Sequence, residues 1–336
     1  MVPFRKHFHL ASFLIIIPLL TLLTLIGCEQ QKKSPLEKIT IAYTTNINPV
    51  IVHIAFANGF FKEEGLDAAP QSHAFGKPAL QAVIEGKADL ATVADTPIVF
   101  AVMDGKPITA LAVLQTSNRN TAIVARLDKG IARPVDLKGK KIGLTPGTTG
   151  HFFTDSFLQL HNIDSKQVNM IDLAPDKMAH ALETGDVDAV CTWNPNLTQI
   201  KNKLGRNGII FFGESLYTEN FCLVAGQEYA NKNPAAVKKV LRALIKAETF
   251  VQQHPEAARQ RVAEFIKVDK TLLDDMWDLF TFRVVLDQAL LMDLEDQTRW
   301  AIKQHLTGNH NMPNYLDFIY IDGLKSIKPE AVSIIH

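Results

Sequence analysis

Apolar and polar positions along this 336-residue chain fall into one layout that occurs twice. The first copy opens with an apolar run, Ile39–Tyr43, behind Lys38. A Thr/Asn turn and a helix-like segment follow, then a second short apolar run at Leu66–Ala69. A short helix next ends in Ala-x-x-x-Gly, Ala82 to Gly86, with glycine where a helix end turns left-handed. Asp89 comes three residues later, then a third apolar run and Pro97. The second copy repeats the order: Ile142–Leu144, the turn Thr145–Gly150, and a helical pattern of Phe152, Phe153, Phe157, Leu158 and Leu160. Val168–Leu173, a helix ending Ala181 to Gly185, Asp188 and Pro195 complete it. Each copy reads as β-α-β-α-β. Strands alternating with helices imply parallel sheets covered on both faces, so two α/β lobes are expected.

In open parallel sheets, ligands bind beyond the carboxyl ends of the strands. Six loops lie there: Thr44-Thr45-Asn46, Phe75-Gly76-Lys77, Asp95-Thr96, Thr145–Gly150, Ala174-Pro175-Asp176 and Trp193-Asn194. Facing lobes would close these loops over one cleft. The turn Thr145–Gly150 also opens a helix, whose first N–H groups and positive end suit an anion. The matching stretches "NTAIVAR" (120–126) and "NFCLVAG" (220–226) read as the two crossings between lobes. That gives one lobe from 38–120 and 227–336, and the other from 121–226. Helical stretches are expected over 234–253, 255–265, 270–280 and 285–305, with the last residues wrapping the first lobe.

The first residues bear on the compartment. Arg5 and Lys6 precede an apolar stretch, 8–26, and then Leu25-Ile26-Gly27-Cys28. This resembles a bacterial lipobox, with a leader over 1–27, a lipid on Cys28 and a polar tether over 28–37. An uncleaved membrane anchor is the competing reading, since the run is nearly long enough to span.

Charge narrows the function classes. Lys plus Arg and Asp plus Glu both number 35, so no basic surplus points to nucleic acid. Cys191 and Cys222 could pair in an oxidising compartment, or be two small buried apolar residues. The histidines show no metal-ligand spacing, and neither metal nor cofactor is expected.

Five stretches together carry a family resemblance: "GFFKEEGLD", "ALQAVIEGKADLATVADTP", "DLKGKKIGLTPGTT", "ALETGDVDAVCTWNP" and "KPEAV". In this order they resemble the solute-binding proteins of ABC importers for nitrate, sulfonates, taurine and bicarbonate. The resemblance runs from Lys38 to Val332. It implies the periplasmic-binding type II fold, two Rossmann-like lobes joined by a two-strand hinge. It also implies a monomer that catches a small anionic or zwitterionic solute and delivers it to an ABC permease. The lipid on Cys28 would hold it on the periplasmic or outer side of the bacterial cell membrane. Carried over by position, the ligand residues are Thr45, Asn46, Gly76, Lys77, Asp95, Thr96, Arg119, Gly147, Thr148, Thr149, Trp193 and Asn194. Asp95 would favour a ligand with an amine. Binders of a thiamine-pyrimidine precursor share the pattern, and a ligand-presenting partner of a sensor remains open. Pyrimidine synthases share the fold but use a pyridoxal cofactor and a cysteine-rich motif, for which this chain offers only two separated cysteines.

Overall fold

The duplicated pattern folds into two sheets with the same strand arrangement. The structure, a computed structural model, describes residues 35–335 together with Met1 and Pro3, so Cys28 and the expected leader lie outside the described residues. The first lobe runs β1 (Glu37–Thr44), α1 (Val50–Ala57), α2 (Phe60–Glu63), β2 (Leu66–His73), α3 (Gly76–Ile84), β3 (Leu90–Ala94), α4 (Asp95–Met103) and β4 (Ile108–Ser117). The second runs β5 (Thr121–Arg126), β6 (Lys141–Leu144), α5 (Thr149–Leu160), β7 (Asn169–Asp172), α6 (Met178–Thr184), β8 (Ala189–Trp193), α7 (Asn196–Leu204) and β9 (Gly208–Phe211). The chain then returns through β10 (Glu219–Gly226), α8 (Gln227–Lys232), α9 (Pro234–Gln253), α10 (Pro255–Ile266), α11 (Lys270–Asp274), β11 (Thr281–Val285), α12 (Gln288–Lys303) and α13 (Ile321–Lys325).

Strand order is β11-β4-β10-β3-β1-β2 in one sheet and β7-β6-β8-β5-β9 in the other. Within each, the three repeat strands are parallel, and one antiparallel strand joins the third: β10 on β3, and β5 on β8. The similarity of "NTAIVAR" and "NFCLVAG" therefore reflects equivalent places beside β8 and β3. Neither stretch is itself a crossing. β10 pairs along its whole length with β4 of the first sheet, so the return precedes Glu219 and does not follow Gly226. The crossings are the short links between β4 and β5 and between β9 and β10.

Side-chain alternation explains the layers. In β1, Ile39, Ile41 and Tyr43 enter the large core that α1, α9 and α10 cover, while Ala42 faces α3 on the other side. In β5, Ile123 and Ala125 face α5, and Ala122 and Val124 face α6 and α7. The repeated aspartates acquire a structural role. Asp89 Oδ2 accepts from the Thr40 N–H at 2.7 Å, and Asp188 Oδ2 from the Lys141 N–H at 2.9 Å. Each aspartate N–H bonds back to the carbonyl of that same residue, so the pair pins the start of the third strand to the first.

The expected helix from 285 begins only at Gln288, because the β-branched stretch TFRVV pairs with β4 and the Asp287 side chain caps α12 by accepting from the Leu290 N–H. The expected helix over 270–280 stops at Asp274 and leaves a short 3₁₀ turn. The C-terminal residues do lie on the first lobe, through bridges from Ile319 to Ala110 and from Val332 to Leu286. Among the described residues no helix is long and apolar enough to cross a membrane.

Candidate functional site

Loops at the carboxyl ends of both sheets line a small cavity between the lobes. Its wall includes Asn46, Gly76, Lys77, Thr148, Thr149 and Trp193, six of the twelve positions expected from the sequence. Both lobes contribute to this wall, and Lys77 of one bonds to Pro146 of the other, so the lobes stand closed and an entering solute must part them.

Local sequence explains how these residues reach the wall. Asn46 Oδ1 accepts from the Thr44 hydroxyl at 2.7 Å and from the Asn48 N–H at 3.1 Å, folding "TTNINP" into a tight Asx turn beneath α1. Gly76 opens α3 against β3, and a Cβ there would sit 3.0 Å from the Val93 Cα, so no side chain fits without displacing backbone. Lys77 reaches across to the other lobe and donates to the Pro146 carbonyl at 3.0 Å. Thr148 caps α5 from an extended conformation, and its hydroxyl donates to the Thr145 carbonyl at 2.7 Å. The first N–H groups of α5, at Thr149 and Gly150, have no carbonyl within the helix to receive them. The starts of α3, α4 and α5 thus converge on the cavity and bring three positive helix ends to it. Phe75, Trp193 and Phe221 supply an apolar wall, with the Phe75 and Trp193 rings 6.1 Å apart.

The other six expected residues do not line this cavity. Thr45 is exposed, and its neighbour Asn46 takes the inward place. Asp95 is fully buried and committed: its oxygens accept from the Tyr217 hydroxyl, from the Asn220 N–H at 3.0 Å and from the Thr96 N–H at 2.8 Å. Thr96 donates to Gln297 of α12 at 2.6 Å. Asp95-Thr96 therefore ties α4 to β10 and α12, which removes the reason to expect an amine there. Arg119 sits outside the cleft, paired with Glu214 at 3.1 Å and over the Phe212 ring. Gly147 has φ +68°, which favours glycine, and its N–H points to His151 Nδ1 at 3.3 Å, so it shapes the turn. Asn194 is buried against the first crossing, with its N–H on the Asn120 carbonyl and its side chain accepting from Thr198.

Sequence reasoning missed Asn48, Ala94, Pro97, Glu219 and Phe221, while Phe75 lies in one of the expected cleft loops. Glu219 is the most consequential. It is 2% exposed, with Oε1 accepting from Asn120 Nδ2 at 2.8 Å and Asn48 Nδ2 at 3.4 Å, and Oε2 from the Thr121 hydroxyl at 3.3 Å. Thr149 adds a hydroxyl contact from α5. Burial, reinforced by the charge of Asp95, pushes its carboxyl up to about 8. A signal existed: the alignment of "NFCLVAG" with "NTAIVAR" sets Glu219 opposite Arg119, one residue before each shared asparagine.

A second contact between the lobes lies on α5. Trp300 of α12 donates from Nε1 to Asp155 Oδ2 at 2.9 Å, and its ring packs on His151, Phe152 and Phe100. Burial raises Asp155 and lowers His151, so neither charge form is favoured there. Cys191 and Cys222 are both free and buried, one in each sheet, and burial pushes the Cys191 thiol up to about 12. Among the described residues no group of three or more His, Cys, Asp or Glu side chains could hold a metal ion.

Comparison with known proteins now places this geometry. Over 272 residues the chain is 26% identical to a Bacillus subtilis (strain 168) protein provisionally named an aliphatic sulfonates-binding protein, covering 78% of this chain and 81% of that one. Over 223 residues it is 26% identical to the taurine-binding periplasmic protein of Escherichia coli (strain K12), covering 65% and 68%. The crystal structure of the periplasmic aliphatic sulphonate binding protein of Escherichia coli superposes with a TM-score of 0.73 at 18% identity, over 86% of this chain and 99% of that one. The fold is the periplasmic-binding type II fold. The profile of the family described as NMT1/THI5 like matches residues 45–258, and the chain belongs to that family.

Proposed function

We propose that this chain is an extracytoplasmic solute-binding protein that captures a small anionic or zwitterionic solute and delivers it to an ABC permease. The observation that carries this reading is the closed interlobe cavity, where three helix starts and an apolar wall meet. The relatives named for sulfonate and taurine binding support the solute class. Thr149, Gly150 and Lys77 hold the anionic end through N–H groups and an ammonium, and Trp193 covers the carbon chain. The chain transforms nothing: Cys191 and Cys222 are buried thiols held away from the thiolate form. The Phe75–Trp193 wall also suits a small heterocycle, so a thiamine-pyrimidine precursor is the second reading.

Thermal unfolding against a panel of sulfonates, nitrate and pyrimidines tests both readings. A true solute at a thousand times its Kd raises stability by about 4 kcal/mol. Lys77→Glu puts a like charge beside the anion's proposed place, and the shift should vanish while circular dichroism stays native. An undiminished shift in that variant would move the site elsewhere.

The lipid anchor is part of the proposal. Cys28→Ser should abolish labelling with radioactive palmitate, and equal labelling of both forms would remove the anchor.

A further inference from the structure

Glu219 raises a question that the anion-binding features leave open. Its carboxyl lies on the cavity wall, 2% exposed, and the partners that hold it are neutral: two asparagine amides and two threonine hydroxyls. The charge acting on it is that of Asp95, which is of like sign. Lys77 lines the same cavity, but its ammonium donates to the Pro146 carbonyl. A buried carboxylate without a cation is costly, and a site that places one against bound solute gains most when the solute brings the missing charge.

We propose that Glu219 seats a protonated nitrogen of the solute, so that the cleft selects molecules with an anionic end and an ammonium or amidinium end over singly anionic analogues. This rests on the reading of the cleft as the solute site. The geometry is complementary: the α5 start, with Thr148 and Thr149, and Glu219 line one cavity, and Thr149 touches the carboxyl itself. With the carboxyl raised to about 8, the empty closed cleft holds Glu219 mostly protonated at pH 7. A cation beside it reverses that preference, so solute binding expels its proton to the buffer. The other ionisable groups on surrounding elements are Lys77 on α3, Asp95 on α4, His151 and Asp155 on α5, and Tyr217, Cys222 and Asp293 on or around β10. Of these Asp95 acts on Glu219 directly, and it raises rather than lowers its proton affinity.

The test is calorimetric titration of the full chain in detergent with two matched pairs: 2-aminoethanesulfonate with ethanesulfonate, and 3-aminopropanesulfonate with propanesulfonate. At least one amino member should bind about 10–100-fold more tightly than its partner, a charged hydrogen bond's share of affinity. At pH 7 its binding should release most of one proton, read from the dependence of heat on buffer ionisation enthalpy, and the release should shrink as pH rises through 8, where the carboxyl ionises in the empty cleft. Glu219→Gln should keep the weak binding of the simple sulfonate and lose both the preference and the proton release. Simple sulfonates binding as tightly as the amino members, or a preference that survives Glu219→Gln, would overturn this proposal while leaving the anion cleft standing. Wild type binding neither member of either pair would overturn both.

Discussion

Trp300→Ala is expected to destabilise the protein by about 3–5 kcal/mol, the range for removing a large buried aromatic. Trp300 belongs to α12 of the first lobe, yet its side chain joins the core of the second. The ring centroids of His151, Phe152 and Phe100 lie 5.1, 5.2 and 5.9 Å away. Its indole N–H is also the donor that Asp155 Oδ2 accepts, while Asp155 Oδ1 has no partner among the described residues. Alanine therefore leaves a cavity and a stranded buried carboxyl at once. Trp300→Phe separates the two effects: it keeps most of the packing and loses the N–H, at about 1–3 kcal/mol. Urea unfolding followed by circular dichroism measures both. A loss below 1 kcal/mol for the alanine variant would mean that the lobes do not depend on this contact. Solute affinity should fall with it, because α12 holds α5 in the closed position from which the anion is met.

The repeat was legible because each element obeys a local rule. Apolar runs alternate with helical periods, Gly86 and Gly185 take left-handed φ of +69° and +82°, and Asp89 and Asp188 close the same backbone ring in each lobe. The loops that line the cavity followed, since strand ends in parallel sheets fix where they lie. Side-chain direction did not follow. Thr45 and Asn46 are neighbours, and only the structure shows which one turns inward. Asp95 looked like a ligand residue because it lies in a strand-end loop of the cleft, but Tyr217 and Asn220, more than 120 residues away, claim its oxygens. Glu219 is the reverse case. Its environment is assembled from Asn48, Asn120, Thr121 and Thr149, four segments no local pattern connects. The second crossing was misplaced for a related reason: β10 has a crossing's sequence neighbourhood and a sheet strand's pairing.

Two buried groups are expected to tilt the stability of the empty protein with pH in opposite directions. Glu219 rises on folding from its usual 4.5 to about 8. A raised carboxyl binds more protons folded than unfolded, so its contribution is complete below pH 4.5 and is lost as pH climbs through 8. The loss amounts to about 4–5 kcal/mol. Asp293, raised to about 7 chiefly by burial, leans the same way. His53 is fully buried, donating from Nε2 to the Thr44 carbonyl at 3.0 Å and edge-on to Tyr43, and burial lowers it from 6.5 to about 4. A lowered histidine binds fewer protons folded, so its contribution is present above pH 6.5 and lost as pH falls through 4, about 3 kcal/mol in all. Between pH 4.5 and 6.5 the His53 slope offsets only one of the two carboxyl slopes, so wild type should decline gently there and more steeply just above pH 6.5. Single variants unmask each limb. His53→Gln should leave an uninterrupted fall from pH 4.5 to 8. Glu219→Gln should leave the curve nearly flat below pH 6.5, where Asp293 and His53 offset each other, and remove the fall between pH 7 and 8. Denaturant unfolding at half-unit pH steps for the three proteins measures the curves. Parallel curves for wild type and Glu219→Gln above pH 6.5 would show that the Glu219 carboxyl is already ionised in the empty cleft, and solute binding would then have no proton there to expel.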